Sequence, residues 1–231
     1  MSVITEFDAG PGSPEPATSR GDRMLYTVWD TETTGFTKNL PPEDPSQPDI
    51  VQLAAMLLSV PEASETGDVE IISQLSLLVH GEIPVDQGAF EVHGISRDKT
   101  RKMGVPRASA VRLLKDLLAV SDIQVGHNLE FDLKIMRSAA HRAGIDMSLE
   151  LAKPVICTMR QSTDICKIPG TRNGYKWPKA QEAHQKLCKC AFVGAHDALA
   201  DVRATARIFC ALVGLPSERM GKLWNKQDLV L

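Results

Sequence analysis

The 231-residue chain has no apolar stretch of membrane-spanning length, so neither a transmembrane helix nor a membrane partner is expected. It also lacks an N-terminal basic region followed by an apolar core, and no secretory signal is expected. Its five cysteines, Cys157, Cys166, Cys188, Cys190 and Cys210, are odd in number and lack disulfide-framework spacing. Free thiols in a reducing cytoplasm are the simplest expectation. Internal repeats and low-complexity blocks are absent too. So is net positive charge: a balance of −3 at pH 7 argues against broad affinity for duplex DNA.

Charge distribution says more than the total. Residues 1–70 carry thirteen acids against three bases. Residues 97–112 carry Arg97, Lys99, Arg101, Lys102, Arg107 and Arg112 against only Asp98, and residues 153–189 carry eight Lys or Arg against Asp164 and Glu182. Each basic region taken alone reads as a solvated face. Together they would flank an acidic centre and hold a polyanionic strand.

Residues 1–22, rich in Gly, Pro, Ser and acids, read as a disordered arm. Residues 23–215 read as one domain, and 216–231 as a C-terminal tail. Met24 to Trp29, Ile50 to Val60 and Val69 to Val79 read as strands of an antiparallel meander. The four prolines between Lys38 and Pro48 mark an exposed loop. Pro106 opens a helix with Val111, Leu114 and Leu118 on one face, and Ile123 to Val125 is a short buried strand. Helices are expected over Leu129 to Ala143, Lys179 to Leu187 and Asp197 to Val213, whereas 151–178 reads as irregular. Strands first, then helices around one further strand, describe an α/β domain with a mixed sheet flanked by helices.

Acids interrupt these patterns at three places. In Asp30-Thr31-Glu32-Thr33-Thr34-Gly35, strand alternation puts Asp30 and Glu32 on one face and Thr31 on the other. Two carboxylates so close repel, and one takes up a proton unless a cation sits between them. Gly35 is read as allowing a sharp exit from the strand. In Gly126-His127-Asn128-Leu129-Glu130-Phe131-Asp132, Asp132 falls inside the apolar stripe of Leu129, Leu133 and Met136, where a buried anion needs a partner. That partner is either a neighbouring loop or a cation. Asn128 reads equally as a helix N-cap or a substrate contact. In the third place Asp201 interrupts the stripe Ala198, Val202, Thr205, Ile208, Phe209 and Leu212, and Asp197 reads as a structural acid in the first turn. His196, just outside this helix, would be a surface residue if alone. Beside a metal cluster it is a candidate general base. No buried Lys or Arg in the same segments balances the four acids, which points to hard cations and phosphate-ester chemistry.

Asp-x-Glu-Thr-Thr-Gly, His-Asn-x-x-Phe-Asp and His-x-x-x-x-Asp, in this order, resemble the three motifs of the DEDDh family of 3′→5′ exonucleases. This family includes the proofreading epsilon subunit of bacterial DNA polymerase III and ribonuclease T. The resemblance runs from Met24 to about Leu215 and extends to Ile50-Val51-Gln52-Leu53-Ala54 and Val92-His93-Gly94-Ile95. It implies a ribonuclease H-like fold with a five-stranded mixed sheet. It makes Asp30, Glu32, Asp132 and Asp201 the ligands of two divalent cations, Mg²⁺ or Mn²⁺, and His196 the base that deprotonates the attacking water. Thr33, His93 and Asn128 match contacts to the terminal nucleotide; for His93, a buried, hydrogen-bonded place in a turn is the alternative. Gly88 stands where some relatives carry an acid.

The implied activity is release of nucleoside 5′-monophosphates from single-stranded or frayed DNA ends. The alternatives are an exoribonuclease or oligonucleotide nuclease of the same fold, and a non-catalytic nucleic-acid-binding or polymerase accessory subunit. Implied partners are the 3′ end of a single strand and a DNA polymerase or other replication or repair protein. Phe36, Phe90 and Phe131 are expected in the core rather than on bases, and Trp177 under the helix that follows it, with a grip on nucleic acid as the alternative. His184, Cys188 and Cys190 form a weak zinc pattern without a CxxC pair.

Overall fold

The computed structural model describes residues 23–61, 66–170, 174–192 and 194–223. The expected arm, 1–22, lies outside them, as do 224–231. In chain order the elements are strands β1 (Met24–Thr33), β2 (Ile50–Val60) and β3 (Glu70–Leu78), helices α1 (Gln87–His93), α2 (Arg97–Met103) and α3 (Arg107–Val120), and strand β4 (Ile123–Gly126). Helices α4 (Leu129–Ala143) and α5 (Ser148–Leu151), strand β5 (Val155–Cys157), and helices α6 (Thr158–Cys166), α7 (Ala180–Cys188) and α8 (Ala198–Leu212) follow, then a 3-10 helix at Ser217–Leu223.

The five strands form one mixed sheet in the order β3-β2-β1-β4-β5. The first three pair antiparallel as a meander, and β4 and β5 add in parallel beyond β1. This is the expected mixed five-stranded sheet flanked by helices. Strand β2 is buried along its whole length, because it has a neighbour on each side and helices over both faces. Its near-continuous apolar run follows from that position.

Pleating sends alternate residues of β1 into two different cores. Trp29, with Leu53 and Ala55 of β2, packs against Val111, Leu114 and Leu118 of α3 and Leu129, Leu133 and Met136 of α4. Val28, with Ala54, Met56 and Leu58, packs against Ala198, Val202 and Phe209 of α8. Met220 and Leu223 are buried in this second cluster, and Arg207 Nε donates to the Leu223 carbonyl at 2.5 Å. The expected domain edge at 215 therefore falls within packed structure.

The stretch 151–178, read as irregular, contains β5 and α6. β5 has only three residues, too few for alternation to register. Helices α1 and α2 were not expected either. α1 buries no residue at all, so it leaves no apolar stripe to find. The proline-rich loop is an ordered layer: Arg142 on α4 donates to the carbonyls of Gln47 (2.6 Å) and Pro48 (2.8 Å).

Candidate active site

β1 continues past its apolar run to Thr33, placing Asp30 opposite Ala54 and Glu32 opposite Gln52 of β2. A register shift between Glu32 and Thr33 ends the regular pairing. Gly35 does not adopt a left-handed φ; its missing side chain instead admits the Asp86 carboxylate, with which a Cβ would collide.

Asp30 and Glu32 share the α8 face of the sheet with Val28. There Glu32, Asp201 and His196 converge, each offering a ligand atom within 4.8 Å of the others'. Among the described residues no other group of His, Cys, Asp and Glu does so. His196 lies in a turn with φ 70°. Asp197 N–H closes the turn on the Gly194 carbonyl (3.0 Å), and His196 N–H donates to Asp201 Oδ2 (2.8 Å). The first turn of α8 is set by Asp197, the true N-cap, which accepts from the amides of Leu199 and Ala200, both at 3.1 Å.

Asp132 comes from the α4 side and is only 3% exposed. Its Oδ1 accepts from the Thr31 hydroxyl (2.7 Å) and the Thr31 amide (3.0 Å). The face of β1 turned away from Asp30 and Glu32 is thus where the third acid is held.

The electrostatics join the four acids. Burial, then the charges of Asp132, Asp201, Glu32 and Asp197, holds Asp30 well above the ordinary carboxylate range. Burial, then Asp201, Asp132 and Asp197, pushes Glu32 up to about 8. For Asp132 burial outweighs the Thr31 hydrogen bonds and raises it to about 7. Asp201 is raised to about 6 by burial, against the lowering effect of the His196 amide. None of the ion pairs among the described residues involves these acids. Crowded oxygen donors without basic counter-charges fit a hard divalent cation.

The expected nucleotide contacts differ in how committed they are. Asn128 occupies the N-cap position of α4 at φ 66° but makes no side-chain cap hydrogen bond, and it is exposed. Thr33 donates its hydroxyl to the Gly35 carbonyl (2.8 Å). His93 donates from Nε2 to the Thr33 carbonyl (3.0 Å) and accepts the Ile95 amide on Nδ1 (3.0 Å). Both its ring nitrogens are therefore engaged in the turn. Burial lowers its pKa, with the nearby His196 adding to the shift.

Three aromatic expectations are corrected. Phe36 is 87% exposed and meets Phe131 edge-on, with ring centroids 6.4 Å apart. Phe90 is also exposed, and Trp177 stands in solvent rather than under α7. Phe131 packs against the first core as expected. The zinc pattern does not assemble. His184 Nδ1 donates to the Cys190 carbonyl (2.9 Å), and burial pushes the Cys188 thiol up to about 12.

Two further contributors lie outside the expected site residues. Thr31 orients Asp132 from the opposite face of β1. Gln52 clamps the start of α8, donating from Nε2 to Asp197 Oδ2 (3.1 Å) and accepting the Ala198 amide on Oε1 (3.3 Å). Its signal was visible, since it is the one polar residue in the run Ile50 to Leu58.

The family model described as Exonuclease matches residues 27–209, a span that includes all five acidic and histidine positions. The fold is similar to Escherichia coli Exonuclease I in complex with a dA16 oligonucleotide, at TM-score 0.61 and 20% identity over 87% of this chain and 42% of that one. It is similar also to a moderately thermophilic Exonuclease I from Methylocaldum szegediense, at TM-score 0.60 and 21% identity over 87% and 42%. The zinc-bound form of the E. coli Exonuclease I–ssDNA complex gives TM-score 0.60, 21% identity and the same coverage, 87% and 42%. The chain spans less than half the length of these proteins.

Proposed function

Since the chain belongs to the exonuclease family, we propose that it is a metal-dependent exonuclease that removes nucleotides from the 3′ end of single-stranded or frayed DNA. The observation that carries this reading is the convergence of Glu32, Asp201 and His196 within 4.8 Å, electrostatically joined to Asp30 and Asp132. The oligonucleotide-bound form of E. coli Exonuclease I supports a DNA strand as substrate.

In this reading Asp30, Glu32, Asp132 and Asp201 hold two divalent cations, Mg²⁺ or Mn²⁺. Bound there, such cations neutralise phosphate charge and make water more acidic. The residues do the remainder. Thr31 fixes the orientation of Asp132, and Gln52 and Asp197 fix the start of α8, so the acids need little reorganisation when a phosphate arrives. His196 takes the proton of the attacking water. Its backbone, tied to Asp201, keeps the ring at the mouth of the acid cluster. Asn128, with an exposed and uncommitted amide, contacts the terminal nucleotide. Thr33 and His93, locked to each other and to the turn, shape the surface on which that nucleotide rests.

Digestion of a 5′-labelled single-stranded oligonucleotide, with Mg²⁺ and with a chelator, tests the reading. A 3′-shortened ladder and nucleoside 5′-monophosphates are expected only with the metal. His196→Ala should slow turnover by about 10²- to 10⁴-fold. Wild-type rates in both Asp30→Ala and His196→Ala would end the proposal. Parallel RNA oligomers separate it from an exoribonuclease of the same fold.

A further inference from the structure

We propose that Trp177 is a stacking platform for a base of the substrate strand, upstream of the terminal nucleotide; this rests on the exonuclease reading above. Trp177 is 62% exposed, whereas Trp29 is 1% exposed. An exposed indole offers a flat face on which a base can stack.

The exposure does not come from a loose segment. Lys176 N–H donates to the Ile168 carbonyl (2.9 Å), and Lys179 N–H to Glu182 Oε2 (2.8 Å). Between them the Pro178 carbonyl accepts His127 Nε2–H at 3.0 Å. Hydrogen bonds on both sides hold the backbone of Trp177, so little ordering is left to do when a ligand arrives.

His127 also gives the platform its address. It directly precedes Asn128, which opens the helix carrying Asp132, so the residue after Trp177 is bonded to the start of that helix. The segment carrying the ring is net basic, with Lys167, Lys176 and Lys179 against Glu182, which pairs with Lys176 at 2.6 Å. Lys167 and Lys179 are exposed and form no ion pair among the described residues. Tyr175 adds a second exposed ring two residues away. Aromatic faces set among cations are how single strands are gripped without sequence preference, since every base has a face to stack. A strand whose 3′ end lies among the acids would pass the α4 entrance and lay a base on Trp177.

Binding of dT8 by wild type, Trp177→Ala and Trp177→Phe, with Ca²⁺ in place of Mg²⁺, provides the test. Hydrolysis of the p-nitrophenyl ester of thymidine 5′-monophosphate, which fills only the terminal site, is followed with Mg²⁺. Trp177→Ala should weaken dT8 binding about 10-fold, Trp177→Phe should restore most of it, and ester hydrolysis should stay unchanged. The wild-type tryptophan emission should be quenched by dT8, and the quench lost in Trp177→Phe. Equal dT8 affinity in wild type and Trp177→Ala, or a quench surviving in Trp177→Phe, would overturn the proposal. Loss of ester hydrolysis together with dT8 binding in both variants would do so as well, by placing the effect in the fold. Wild-type protein that binds dT8 with the Trp177-dependent quench but cleaves neither substrate would remove the exonuclease reading and leave the platform standing.

Discussion

Thr31 holds Asp132 with two bonds to one oxygen: its hydroxyl at 2.7 Å and its amide at 3.0 Å both point at Oδ1. The strand end that presents Asp30 and Glu32 on one face thereby grips the third acid with the other. Both bonds lower the Asp132 pKa against burial, which raises it. Thr31→Val keeps the β-branched shape and deletes the hydroxyl. We expect divalent-metal affinity to fall about 10- to 100-fold, with the pH at which metal binds moving upward. Calorimetric titration with Mn²⁺ at several pH values checks this, and unchanged affinity would refute the positioning role.

Gln52 stands beside Glu32 in the sheet register and holds the start of α8 by two bonds. Gln52→Leu removes both, together with the bond that Nε2 donates to Ser76 Oγ at 3.3 Å. The expected loss of stability is about 1–3 kcal/mol, three ordinary hydrogen bonds' worth. Turnover should fall more than substrate affinity, because His196 and Asp201 are set by that helix start. Urea unfolding and steady-state kinetics on an oligonucleotide measure the two effects. A fall in affinity with turnover intact would contradict the assignment.

The raised carboxylates make stability depend on pH in a definite direction. An acid whose folded pKa lies above its unfolded value is bound more tightly to its proton in the folded protein. Its contribution is intact below the ordinary value and is lost as pH rises through the folded one. For Asp201, Asp132 and Glu32 those folded values are about 6, 7 and 8. Metal-free protein should therefore lose thermal stability between pH 5 and 8 (about these values), and Mn²⁺ should restore it at the upper end far more than at the lower. His93 and His127, both lowered chiefly by burial, act in the opposite sense and only in the lower part of that window. Glu32→Gln isolates the carboxylate effect: it should flatten the loss above neutrality. Melting curves that fall as steeply in Glu32→Gln as in wild type would exclude this origin.

Away from the site, Asp49 is 1% exposed, and both its carboxylate oxygens are bonded to Arg107, with Arg142 3.9 Å away. The Ile50 amide adds a bond at 3.0 Å. Arg107→Met leaves the buried anion to Arg142 and the Ile50 amide alone and should cost about 1.5–3 kcal/mol of stability. Metal affinity should not change, because this cluster anchors the proline-rich loop and the α3 start, not the acids. Chemical denaturation beside a Mn²⁺ titration tests both halves, and a stability change under about 0.5 kcal/mol would show the pair to be dispensable.

What the sequence determined is what local covalent geometry dictates. Period-two alternation placed Asp30 and Glu32 on one face, and the 3.6-residue stripe put Asp132 and Asp201 at inward positions of α4 and α8. These patterns are readable because each lies within one element. Short elements such as α1 and β5 escaped, since seven residues with nothing buried, or three residues in all, carry no periodic signal. Tertiary structure alone decided the pairings across long separations: Thr31 with Asp132 across 101 positions, and Gln52 with Asp197 across 145. It also decided that Phe36 and Trp177 face water. Helix docking on the two sheet faces fixes which side chains meet and which are left uncovered, and that docking depends on the whole chain at once.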